Sequence, residues 1–318
     1  MTKTTIADLL YLPGTAEAKF LPEGPTSLGP SLFSWVAIQH GAEGTVGSLN
    51  IFDVETKENR SFELPGRPGF AKPTSNQDQF VVGMERAVGI FDIGTGQWTE
   101  WTDQVDVGVE GTIINDGTLY GSNAVFGTKD LEFKTPKAAL YLYHGESKKL
   151  VKLQGGQICS NGKDVIDSGD GGLALIDIDS PTRKVVRYPL DIDNASVGEP
   201  VTVVDVSDLE SVPDGMTMSP DEQSVIISFY NPNPAEFGET RQYSLFDGSL
   251  EHIWKTPGSP QATCPLLLEM KDGSIKLIIT TAVEHMPADR QAESPNAGGL
   301  FIAETSFRSP PVSPCYPL

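Results

Sequence analysis

Residues 48–66 read SLNIFDVETKENRSFELPG. An apolar run ends at an acidic corner, turn formers follow, and a second run closes the unit, which is the pattern of a β-hairpin. The same plan recurs as AVGIFDIGTGQWTEWTD from Ala87, AALYLYHGESKKLVKL from Ala138, LALIDIDSPTRKVVRYPL from Leu173 and RQYSLFDGSLEHIWKTPG from Arg241. A sixth copy, GGLFIAETSF from Gly298, breaks off after one strand. Repetition of one supersecondary unit around a chain predicts an all-β, six-bladed β-propeller, with each hairpin forming the outer half of a blade.

The segments between the hairpins, DQFVVGM, GTLYGSN, SVIISFY and IKLIITTAV, suit the inner strands. Blades pack face to face, so both faces of such strands are buried and polar/apolar alternation is lost. The truncated last repeat predicts that N-terminal residues supply its missing strand, which removes exposed sheet edges. Both termini are then expected in the same or adjacent blades, within one domain over residues 1–318. Helical periodicity is absent apart from a short turn in EHMPADRQAE.

A net charge of −20 repels phosphate backbones and anionic headgroups, so no nucleic acid and no membrane partner is expected. Cys159, Cys264 and Cys315 are odd in number and widely spaced, giving neither a disulfide framework nor a zinc motif. The N-terminus lacks the apolar region of a signal peptide, and no apolar run is long enough to span a bilayer. A cytoplasmic protein acting on a small molecule is expected. Of the histidines, His144 and His252 fall in outer hairpins and are expected at the surface, while His285 ends an inner strand and is a candidate to face the channel. No nucleophile elbow or phosphate-binding glycine motif occurs.

Three motifs carry the candidate chemistry: LPEGPT with Glu23, ICSNGK with Asn161, and VPDGMTMSPD with Asp214. Each alone also reads as a turn. In this order, and with QATCPLLL around Cys264 and NAGGLFIAE around Gly299, they resemble the SMP-30/gluconolactonase (regucalcin-like) family. The resemblance implies one divalent metal at the propeller axis, held by Glu23, Asn161 and Asp214. It also implies hydrolysis of a lactone or related ester, with Asp214 as general base. Two carboxylates and one amide suit calcium first, with magnesium, manganese or zinc as alternatives.

Lactonase members of that family carry an R-x-N-D-G-K segment whose Arg and Asn hold the substrate. Two registers fit it here. The preferred one sets Gly111 and Glu110 on the motif Gly and Asp, which leaves Val107 and Val109 where the Arg and Asn belong. The other sets Asn115-Asp116-Gly117 directly on the motif but spoils the register of the following strand. The preferred register implies a substrate less polar than gluconolactone. A cyclase acting on a natural-product intermediate and a non-catalytic calcium-binding propeller are the alternatives. The stretch NAVFGTKDLEFKTPK reads as an insertion that either covers the ring with Phe126, Leu131 and Phe133 or forms a plain loop. The candidate substrate contacts are thus Val107, Val109, Glu110, Asn115, Asn123 and His285.

Overall fold

The computed structural model describes residues 2–169 and 171–318. Its strands form six sheets, the blades of a six-bladed β-propeller. Blades 1 to 6 begin with the strands Pro22–Gly29, Pro68–Pro73, Thr112–Tyr120, Ser160–Asp167, Val212–Met218 and Ala262–Glu269. The acidic corners of the hairpins are local turn devices. Asp53 Oδ1 accepts from the main-chain N–H groups of Glu55 and Thr56, and Asp92 Oδ1 accepts from that of Thr95. Such acceptors stabilise the tight turn, and the carboxyls lie below their ordinary range, Asp53 chiefly through the Thr56 N–H and Asp92 chiefly through the Gln79 side-chain amide and then the Thr95 N–H.

Contacts divide the chain into two compact units. Blades 1, 5 and 6 lie in one unit, residues up to Arg67 with Asp208–Ser313; blades 2, 3 and 4 lie in the other, Pro68–Ser207 with Pro314–Leu318. In the first unit, Trp254 and Ile226 of blade 5 pack with Leu267, Ile279 and Phe301 of blade 6. A second cluster joins Phe33, Trp35 and Phe52 of blade 1 to Leu268 and Ile278 of blade 6. In the second unit, Phe70 and Val81 of blade 2 meet Ile114, Phe126 and Tyr141 of blade 3. This face-to-face packing buries nearly all of Ser224–Tyr230, whereas the blade 1 edge strand Glu58–Glu63 is half-exposed.

The N-terminal segment adds two strands to the first unit. Asp8–Tyr11 pairs antiparallel with Leu300–Glu304 as the fourth strand of blade 6, and Lys3–Ile6 pairs parallel with Leu250–Pro257 of blade 5. The C-terminal residues join the other unit: Tyr316 bridges Thr74, and its N–H donates to Pro73 O at 2.9 Å. The repeat from Leu173 also differs from expectation. Its hairpin, Leu173–Asp179 and Lys184–Asp191, forms the second and third strands of blade 4, because the short strands Ser196–Val197 and Val201–Asp205 supply the outer edge. The stretch from Asn123 is no insertion. It is the second strand of blade 3, Asn123–Asp130, with Phe126 fully buried in the core. Ala288–Glu293 is the expected short helix, and a second, Ala16–Phe20, begins at the Thr15 cap. No helix among the described residues is long and apolar enough to cross a membrane.

His252, expected at the surface, is buried instead. Its ring stacks on Trp254 at 4.0 Å, and Thr5 of the added parallel strand reaches its Nε2 at 2.9 Å. Burial, with Lys3 nearby, lowers its pKa to about 4. An unfolded histidine titrates near 6.5, so the unfolded chain takes up this proton first on acidification. The neutral-ring contribution to stability is therefore complete above about pH 6.5 and is lost as pH falls towards 4. Denaturant titrations of the parent and His252→Gln across this window are expected to show the parent losing stability relative to the variant. A pH-independent difference would contradict the assignment.

Candidate metal and substrate site

Every blade opens with a break in its ladder. On the first strands the register slips between Glu23 and Thr26, Pro68 and Phe70, Ile114 and Gly117, Ser160 and Lys163, Pro213 and Met216, and Ala262 and Pro265. In each case the first strand holds one residue more than its partner, which is a β-bulge. Bulges re-aim side chains out of the regular pleat. Glu23 opens the bulge of blade 1, while Asn115, Asn161, Asp214 and Thr263 lie within those of blades 3 to 6. Glu23, Asn161 and Asp214 are all buried.

Glycines let neighbouring first strands approach within each unit. A Cβ on Gly215 would stand 2.5 Å from Cys264 Sγ, and one on Gly69 would stand 2.1 Å from Asn115 O. Any larger residue would push these strands apart.

In the unit of blades 1, 5 and 6, Glu23 Oε2 accepts from Gly24 N at 3.1 Å. Thr263 Oγ1 donates to Pro22 O at 2.7 Å, which ties the bulge of blade 6 to that of blade 1. Beyond Asp214, Tyr230 donates through its hydroxyl to Glu284 O, and Gln261 Nε2 donates to the same oxygen at 2.7 Å. Burial, then the carboxylates of Glu284 and Asp214, push the Tyr230 phenol far above its ordinary pKa, so it stays a neutral donor.

In the unit of blades 2 to 4, Asn115 Nδ2 donates to Ser160 O at 2.9 Å and to Asn161 Oδ1 at 2.7 Å. Asn161 Nδ2 in turn donates to Ser180 Oγ at 2.8 Å. Below them Lys163 has no side-chain exposure, and its Nζ stands 3.8 Å from the equally buried Asp177 and donates to Asn161 O. Gln157 Nε2 donates to Asp177 Oδ2 at 2.6 Å. Burial raises the pKa of Asp177 and of Asp116 despite nearby Lys163, and for Asp116 also Lys72 and Lys129.

The structure places the other sequence candidates elsewhere. Val107, Val109 and Glu110 lie in the turn segment before the first strand of blade 3; Val107 is 67% exposed and Glu110 is exposed. The residue at the bulge is Asn115, and Val107 and Val109 precede the strand Thr112–Tyr120. Asn123 closes the turn at the far end of that strand, donating to Tyr120 O and accepting from Gly145 N. His285 follows the second strand of blade 6 with positive φ and a side chain 67% exposed. Ser180, Lys163 and Asp177 escaped the sequence reading. One available signal was spacing: Glu23, Gly69, Asn115 and Asn161 recur at an interval of 46 residues, which marks Asn115 as the bulge residue of blade 3.

No three His, Cys, Asp or Glu among the described residues could hold a metal on their own. The expected set supplies two carboxylates and takes its third donor from an amide, and this all-oxygen chemistry fits a hard divalent cation. These motifs lie within a region, residues 21–283, that matches the family model described as SMP-30/Gluconolactonase/LRE-like region. The chain belongs to that family. It is 26% identical over 260 residues to YvrE of Bacillus subtilis (strain 168), named as a sugar lactone lactonase, covering 80% of this chain and 83% of that one. It is 26% identical over 247 residues to the L-arabinolactonase of Azospirillum brasilense, covering 76% of each. Its fold matches that of regucalcin from Agrobacterium tumefaciens, a calcium-binding protein, over 100% of both chains with a TM-score of 0.80 at 19% identity.

The buried Lys163–Asp177 pair sets a testable constraint on this region. Removing one partner strands a charge in the interior, at a cost of about 3–5 kcal/mol. Asp177→Ala is expected to lose stability on that scale in denaturant unfolding, and Lys163→Met combined with Asp177→Leu is expected to recover most of it. Equal losses in the single and double variants would contradict this account.

Proposed function

We propose that the protein is a divalent-metal-dependent lactonase acting on a hydroxylated lactone, with Glu23, Asn161 and Asp214 holding the cation. The observation that carries the reading is that all three residues sit at first-strand bulges, in a chain whose family model spans residues 21–283. Relatives named as lactonases support the reaction class. The cation would be calcium, magnesium or manganese, because oxygen-only donors lack the imidazole or thiolate that favours zinc.

When bound, the cation polarises the lactone carbonyl and offsets the charge that develops on its oxygen. Asp214 accepts a proton from water as the water oxygen bonds to the carbonyl carbon. The ring C–O bond then breaks, the proton passes to the departing oxygen, and the product is the open hydroxy acid. Asn115 orients the substrate through its amide oxygen. A preference for apolar substrates rested on Val107 and Val109, and neither lies on the strand. Metal binding without turnover is the second reading, favoured by the fold shared with a calcium-binding regucalcin.

Asp214→Ala is expected to abolish both calorimetric metal binding and chelator-sensitive hydrolysis across a panel of aldonolactones. Glu23→Gln is expected to weaken binding less. Metal affinity of Asp214→Ala equal to that of the parent would place the site elsewhere. Tight binding without turnover on any lactone would favour the second reading.

A further inference from the structure

Asn161 presents either an oxygen or an N–H₂ group in a given direction, and only the oxygen can ligate a cation. Its neighbours decide which. The main-chain carbonyl of Ser160 can only accept, so the amide nitrogen of Asn115 faces it, 2.9 Å away. The same nitrogen lies 2.7 Å from the Asn161 side chain, where a second N–H₂ group would leave two donors opposed; the Asn161 oxygen is therefore on that side. The Asn161 nitrogen is left facing Ser180 Oγ at 2.8 Å and Cys159 Sγ at 3.4 Å. Sulfur is a weak acceptor, so the hydroxyl is the principal partner of that buried N–H₂ group.

Ser180 stands in the short 3₁₀ turn Ser180–Thr182 between the second and third strands of blade 4, and it is buried. Its main-chain N–H donates to Cys159 O at 3.0 Å, which brings the hydroxyl over the bulge independently of its side chain. We infer that Ser180 is a positioning residue: it accepts from the Asn161 amide nitrogen and so supports the orientation that Asn115 sets, which leaves the Asn161 oxygen as the amide ligand. The inference rests on the metal-site reading above. Groups that orient a metal ligand in this way contribute 10- to 100-fold in affinity.

The test is calorimetric titration of Ca²⁺ and Mn²⁺ into the full-length protein, with thermal unfolding of each apo variant as a check on folding. Ser180→Ala is expected to bind about tenfold more weakly than the parent, and Ser180→Thr, which keeps the hydroxyl, is expected to restore most of the affinity. The decisive arm uses Asn161→Asp, whose carboxylate offers an oxygen at either end and has no wrong orientation. In that background, Ser180→Ala is expected to change affinity less than about twofold. Unchanged affinity of Ser180→Ala in a parent that binds metal overturns the inference alone, as does an equal loss in both backgrounds, which would mark a general packing role. A parent that binds neither cation overturns the metal-site reading, and the inference with it.

Discussion

One residue too many on the first strand of each blade is the constraint from which the rest of the site follows. A bulge leaves a residue outside the ladder, and its main-chain groups must find other partners if they are buried. Here the partners come from polar side chains of neighbouring first strands. Asn115 serves the carbonyl of Ser160, Thr263 serves that of Pro22, and Lys163 serves that of Asn161 within its own bulge. The side chains that serve these carbonyls are an amide, a hydroxyl and an ammonium; in one unit they lie beside Asn161, in the other beside the Pro22–Glu23 step. A polar site is a structural consequence of the irregularity as much as a functional device.

That constraint also explains what could be read from the sequence and what could not. The hairpins were legible because turn chemistry and strand composition are local. The E-G-P, N-G and P-D-G motifs were legible because each places a glycine at or beside a bulge. The Asn115-Asp116-Gly117 register puts the following strand out of phase with an unbroken ladder. That phase slip is the bulge itself: Ile114 pairs with Thr128 and Gly117 with Phe126, so three steps on one strand match two on the other. A reading that assumes an unbroken period of two counts such a slip against the register that contains it. His252 was misjudged for a different reason, since the strand covering it, Lys3–Ile6, arrives from the far end of the chain.

The charge of the whole and the charge of the site differ in kind. Part of the acidity sits in turns, where Asp53, Asp92, Asp247 and Asp272 cap loop N–H groups. Beneath Asn161, by contrast, lies a buried ammonium between acidic and amide groups. Such pairs seldom add net stability over apolar replacements, because desolvation offsets their attraction. Lys163 does join Asp177 to the main chain of the Asn161 bulge, so the local geometry of that strand and the pairing of the two charges change together.

The direction of the amide chain carries the last step. Asn115 spends its nitrogen on Ser160 O and Asn161 Oδ1, and no hydrogen bond from the described protein reaches its own oxygen. That oxygen is an acceptor with a fixed orientation, because reversing the amide would oppose it to the Ser160 carbonyl. A partner at this point must donate, which a substrate hydroxyl does and a hydrocarbon does not. A buried acceptor left unsatisfied costs about 1–3 kcal/mol. A main-chain carbonyl at the edge of a bulge thus fixes which end of Asn115 is left as the acceptor.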